Sequence, residues 1–269
     1  CFLLRAILYL AVWMALARAM VAASRRQDED PRPVHGHTLY RTSVLFLVVF
    51  AVTYSSATFD WIMSREPEWA STVFGVYHFA GLFTSGLAAF IVLSLGLWRR
   101  GPWRGVFSES HRHDLGKFLF GMSSFWMYIW FCQYMLIWYV NHPEETPHYV
   151  ARLQGALAPL FWLNVALNWA VPFLFLLPRS AKLSGKILFN VSLAVLVGHG
   201  LDLYLAVLPP GRGVPEMLTG IVLAAGFLAL YWIVFTRAFG RFRPVPVHDP
   251  YLVESLPQAH ASHGDGSED

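Results

Sequence analysis

Seven long apolar stretches, each bounded by charged or polar residues, leave this chain few ways to fold. They run over about 2–23, 41–63, 71–98, 117–140, 153–178, 183–208 and 214–239. Each reaches the roughly 20 residues that a helix needs to cross hydrocarbon. A bilayer offers no water to the backbone, so such segments satisfy their own hydrogen bonds as helices. Only 14% of the 269 residues are charged, against about 25% in a soluble domain. The reading is an all-α, polytopic transmembrane helical bundle with seven spans.

Basic residues set the orientation. Fifteen of the twenty Lys and Arg fall in alternate connections, around 25–41, 99–117, 179–186 and 237–243. The other connections hold only Arg65, Arg152 and Arg212. By the positive-inside rule the first set is cytoplasmic, which also places the C-terminus there. Arg5 and Arg18, near the two ends of the first span, read as snorkelling side chains. The outer loops, "REPEW", "NHPEET" and "PPGRGVPE", are short and acidic. The tail over 240–269 is polar and rich in Pro and His, and it reads as flexible or as lying against a partner. The chain opens on Cys1 inside an apolar run, which reads as a piece whose natural start is missing.

Two cysteines, Cys1 and Cys132, form no CxxC, CxxCH or Cys/His cluster, so the expectation is no metal site and no covalently held cofactor. No phosphate-binding loop, HExxH or GxSxG motif occurs. His78 with His199 is the one pairing that a bis-His haem would need, and nothing else in the pattern supports it. Gly81, Ser85 and Ala89 are four apart and predict close helix contact.

Ionisable and amide side chains within spans are costly and often functional. Asp60, His78, His199 and Asp202 fall toward the outer ends of three spans, and the last two share a helix face. Glu144, Glu145 and His148 lie in the outer loop nearby. Gln133, Asn164 and Asn168 fall deeper, and Pro172 follows the two Asn and is expected to disturb that helix. Asn190 and Ser192 lie in the inner half of the sixth span. His111, His113, Asp114 and Lys117 gather at the cytoplasmic mouth of the fourth. Two readings stand. One treats these groups as interfacial side chains and as amides that glue helices together. The other treats Asp114, Lys117, Asn190, Asn168, Asn164, Gln133, His199 and Asp202 as steps of a proton path, with Asp60 and His78 as its outer exit or as a quinol site.

The fourth span is exceptionally aromatic: ten of the residues from Phe118 to Tyr139 are Phe, Trp or Tyr. Trp138 and Tyr139 suit a membrane interface. The deeper rings suit either helix packing or the wall of a flat apolar ligand site.

Four segments, "STVFGVYHFAG" (71–81), "HDLGKFLFG" (113–121), "FWMYIWFCQYMLIWYVNHPEET" (125–146) and "DPYLVESL" (249–256), carry a family likeness. Together they resemble the ActF-type integral subunit of bacterial alternative complex III, within the NrfD/polysulfide-reductase membrane-subunit family. The resemblance implies an N-terminally truncated NrfD-like fold, with 1–63 the remnant of a first helix bundle, 71–208 a second four-helix bundle and 214–239 a last span. It implies a multi-pass subunit of a quinol:cytochrome c or terminal-oxidase oxidoreductase in the bacterial inner membrane. Its partners would be a sister NrfD-like subunit, an iron–sulfur subunit and a multihaem cytochrome c, which carry the redox centres. The implied substrate of the complex is menaquinol or ubiquinol. For this chain the implied role is scaffolding or proton conduction beside the quinol-oxidising subunit. The alternatives are direct quinol binding through Asp60 and His78, and, from the midplane polar residues and Pro172, a secondary transporter.

Overall fold

The computed structural model describes residues 2–30, 33–67, 69–101, 103–154, 158–207 and 214–240, with the single residues 245 and 252. The described residues are helical and contain no strand. In chain order the helices are α1 (Phe2–Glu29), α2 (Pro33–Trp61), α3 (Phe74–Arg100), α4 (Glu109–Val140), α5 (Thr146–Leu153), α6 (Ala158–Val165), α7 (Val171–Leu176), α8 (Arg179–Leu183), α9 (Gly185–Val207) and α10 (Val214–Phe239). Most of the 240–269 tail lies outside the described residues.

Among the described residues six helical stretches are long and apolar enough to cross a membrane: Phe2–Glu29, His35–Arg65, Phe74–Arg100, Ala158–Leu176, Gly185–Val207 and Leu218–Phe239. Seven were expected, and α4 is the one left out. It has 32 residues, a length of about 48 Å, so length is not the reason. Its Trp, Tyr, Ser and Gln residues lower its mean hydropathy although the rings are largely apolar.

The helices pack as a hairpin joined to a bundle. α1 lies against α2, and α2 joins the rest through α3. Gly75 makes that second contact close: a Cβ there would sit 2.9 Å from the Ser55 Cβ. α3, α4, α6–α7 and α9 then pack on one another around two cores. One core is aliphatic, built from Ile91, Leu95, Leu119, Leu176, Leu188 and Val195. It lies at the end where Arg99, Arg100, Arg104 and Lys182 gather, called here the basic end. The other is aromatic, built from Trp69, Phe74, Tyr77, Trp126, Trp130, Tyr149 and Phe161, at the acidic end. The rings of α4 divide accordingly. Trp126 and Trp130 point into the bundle, while Tyr128, Phe131, Trp138 and Tyr139 are exposed.

The close face of α3 is Gly81, Thr84 and Ala88, all buried, rather than Gly81, Ser85 and Ala89. Ser85 and Ala89 are only half-buried, because the helix turns slightly past the four-residue repeat. α1, α2 and α10 present apolar side chains outward along most of their length, as a lipid-facing surface does.

Pro172 leaves its mark on the helix before it. Proline has no N–H to give and its ring crowds the carbonyl four residues back. The chain answers with a π-helical turn over Ala166–Ala170, in which the Val171 N–H bonds the Ala166 carbonyl, five residues back. α6, this turn and α7 together make one crossing-length stretch.

Candidate functional site

The π turn brings two amides into register. Asn168 is fully buried on it, and its Nδ2 donates to Asn164 Oδ1 at 2.5 Å. Asn164 Nδ2 in turn donates to Asp202 Oδ1 on α9 at 2.8 Å. The Tyr77 hydroxyl, on α3, donates to the same oxygen. A carboxylate on α9 is thus held by donors from two other helices. Both bonds fall on Oδ1, and Asp202, 6% exposed, also lines a cavity.

The cavity has a volume of about 60 Å³ and opens between α3, α4, α6, α9 and the connections at the acidic end. Such a space holds a handful of water molecules when polar groups line it. Its inner wall carries Tyr77, His78, Gln133, Asn164 and Asp202, its sides Trp69, Phe74, Trp130, Tyr149 and Phe161, and its rim Glu66, His148 and Arg152. Two buried atoms of that wall, His78 Nε2 and Trp69 Nε1, have no protein partner. Bound water is the ordinary remedy for such groups.

The rim is a compact ionic knot. Arg152, 5% exposed on α5, donates from Nη2 to Glu66 Oε1 at 2.6 Å, from Nη1 to the His148 carbonyl at 2.7 Å and from Nε to the Leu205 carbonyl at 3.3 Å. His148 Nδ1 lies 2.5 Å from Glu66 Oε2. An ionised Glu66 only accepts, so Nδ1 carries the proton toward it. The Arg152 Nη1 that lies 2.9 Å from the same nitrogen therefore serves the carbonyl instead. The His148 ring stacks on Trp69, with centroids 3.9 Å apart and planes 8° apart.

Burial works against the Glu66 charge, yet the hydrogen bonds from His148 and Arg152 overcome it and hold its pKa at about 2. Burial pushes His148 down, the bond to Glu66 opposes this, and the Arg152 charge adds to the lowering. The His148 bond is the larger of the two hydrogen bonds that keep Glu66 ionised, and the Arg152 bond the second.

The other candidate residues fall in different places. His199 is buried one turn deeper than Asp202, outside the cavity wall. It lies edge-on to Trp126 at 5.5 Å and against Gly81, and its Nε2 has no partner. Asp60 does not face this site. Its carboxylate takes two bonds from Arg5, at 2.8 and 2.7 Å, and one from Tyr9 at 3.2 Å. It fastens α2 to α1 and draws Arg5 into an ion pair. Asp114 and Lys117 pair with each other at 2.7 Å on the exposed surface of α4 at the basic end. Glu144 is exposed in the turn after α4, Glu145 is half-buried at the start of α5, and neither lines the cavity. Asn190 is exposed on the outside of α9, away from the buried amides, while Ser192 is buried with its hydroxyl unpartnered. His111 closes a capping box with Ser108 at the start of α4.

Tyr77, Glu66 and Arg152 are site residues that the pattern of candidates did not include. Arg152 was the one with a signal, as a rare basic residue among the acidic connections. Among the described residues no group of three or more His, Cys, Asp or Glu converges as a metal site.

Packing on α9 fixes the amide register. A Cβ at Gly198 would lie 2.5 Å from Asn168 Oδ1 and 2.8 Å from Leu167 Cβ. Gly198→Ala should therefore cost about 1–3 kcal/mol and displace Asn168. A lower midpoint of thermal unfolding in detergent for this variant, against an unchanged one for Gly200→Ala, where a Cβ meets open space, is the expected reading.

No protein-family model matches the chain, and no curated protein matches it. The family likeness therefore rests on the four quoted segments.

Proposed function

We propose that the chain is an integral subunit of a quinol-oxidising electron-transfer complex of the alternative complex III type. In this reading it carries no redox centre of its own and handles protons through Asp202 while scaffolding its partners. The observation that carries the proton role is the buried Tyr77–Asp202–Asn164–Asn168 array opening onto a cavity at the acidic end. A carboxyl group inside a membrane protein is expensive and is kept where protons or charged ligands pass. The positive-inside bias supports a cytoplasmic basic end, an outward-facing cavity and seven crossings with α4 among them. The sequence likeness supports a bacterial inner-membrane complex with a sister NrfD-like subunit, an iron–sulfur subunit and a multihaem cytochrome c as partners.

A second reading is direct binding of menaquinol or ubiquinol. It is favoured by the aromatic cavity wall and the unpartnered His78 Nε2. In this reading Asp202, which lines the cavity, is the favoured base, because Asp60 is held by Arg5 and Tyr9 outside the lining.

Purification from native membranes tests the assignment. Co-purification with haem and iron–sulfur chains in fixed ratio is the expected result. A chain that purifies alone and takes up a labelled solute would instead make it a secondary transporter.

A further inference from the structure

Three separate pieces of chain meet above Asp202, where ionic ties add to the aromatic packing around Trp69 and Tyr149. Glu66 comes from the connection between α2 and α3, His148 and Arg152 from α5, and the Leu205 carbonyl from the last turn of α9. These ties form the rim of the cavity whose inner wall holds Asp202. We propose that the Glu66–His148–Arg152 knot is a latch that controls access from the acidic end to Asp202.

The geometry gives the latch one weak point. Glu66 is the only member that comes from the α2–α3 connection, and it is 28% exposed while Arg152 and His148 are 6% and 12% exposed in their side chains. Arg152 keeps its bonds to the His148 and Leu205 carbonyls when Glu66 leaves, so α5 stays anchored to α9. Opening is therefore a movement of residues 62–67, with Trp69 sliding off the His148 ring. A neighbouring Tyr149 faces the same space but makes no bond to the knot. Glu66, held at about 2, stays ionised at neutral pH, so acidification within the physiological range does not spring the latch. The inference stands on this geometry and does not require the proton-handling or quinol reading.

A water-soluble carbodiimide with a glycine ester as trapping nucleophile reads the latch directly. The full chain in its native complex is labelled, and modification of the Asp202 peptide is followed by mass spectrometry. The exposed Asp114 carboxylate serves as internal standard. Glu66→Gln should label Asp202 at least about tenfold faster than the unmodified protein, since loss of one ionic tie shifts a local opening equilibrium by that order. Glu66→Asp, which keeps the charge, should return the rate most of the way to the original. Equal Asp202 rates in the unmodified protein and Glu66→Gln would overturn the proposal. Equal rates in Glu66→Asp and Glu66→Gln would do so as well, because shape and not charge would then be closing the cavity. Should Glu66→Gln fail to fold, His148→Asn removes a tie to the same carboxylate and carries the same expectation. If the rate of Asp60, whose side chain is 17% exposed and which lies outside the cavity lining, rises in parallel against the Asp114 standard, the protein has loosened generally and the latch is likewise rejected.

Discussion

Under the function proposed above, replacing Asp202 by Asn is expected to lower proton-coupled turnover by about 10²–10⁴-fold, the usual worth of a positioned proton-transfer group, while the protein still assembles. The substitution is close to isosteric. An Asn oxygen in the Oδ1 position accepts from Tyr77 and Asn164 as the carboxylate oxygen does. The side chain loses its charge and its ability to bind and release a proton, and little else. Asp202→Ala is the poorer experiment because it strands two buried donors, each at a cost of about 1–3 kcal/mol. Quinol turnover and proton release are measured separately, in vesicles that hold the intact complex. Loss of both in equal measure assigns Asp202 to proton uptake from quinol. Lost proton movement with intact turnover assigns it to conduction. If both survive, Asp202 is structural, and the array is helix-to-helix glue of the kind amides commonly provide.

The parts of this site that were legible in the sequence are those that depend on position along a single helix. Asn164 and Asn168 share a face by their four-residue spacing, and that face carries the bond between them. His199 and Asp202 are both buried on one side of α9, as a three-residue spacing requires. Depth along the membrane normal follows from residue counts, so the acids were expected near one end. Direction around a helix does not follow when polar and apolar residues are not sorted to opposite faces, as in α2. Asp60 was grouped with His78 for that reason, but it turns the other way, toward an arginine 55 positions earlier in the chain. Tyr77 was hidden among aromatic neighbours whose rings pack, since nothing local marks one hydroxyl as a donor to a carboxylate 125 residues away. Glu66 and Arg152, 86 positions apart, meet only because their two connections cross at the acidic end. The π turn was half legible: Pro172 announced a disturbance, but the choice of a widened turn over a kink depends on how α7 and α9 pack.

The knot at the cavity rim should matter for stability as much as for access, and Arg152→Met tests this. Methionine keeps much of the apolar stem and removes every donor. Glu66 then retains only His148, and the His148 and Leu205 carbonyls each lose a partner. Breaking a fully buried ion pair costs about 3–5 kcal/mol. The Glu66 side chain is 28% exposed and water will partly replace Arg152, so about 2–3 kcal/mol is expected here. The pH dependence separates this cause from simple misfit. In the intact knot the folded-state pKa of Glu66, about 2, lies below its ordinary value of 4.5. A lowered carboxylate pKa stabilises the fold above the ordinary value, and that stabilisation is lost as pH falls from about 4.5 toward 2. The His148 bond is the largest cause of the lowering and remains, so without Arg152 only the part that Arg152 supplies disappears, and that part of the loss goes with it. The melting temperatures of the two proteins should therefore stand well apart at neutral pH and draw partly together as the solution is taken from about pH 5 down to pH 3, the carbonyl bonds of Arg152 keeping the remainder of the gap. A gap that stays constant across that range would mean that Arg152 holds α5 by its carbonyl bonds alone, with the Glu66 charge contributing nothing.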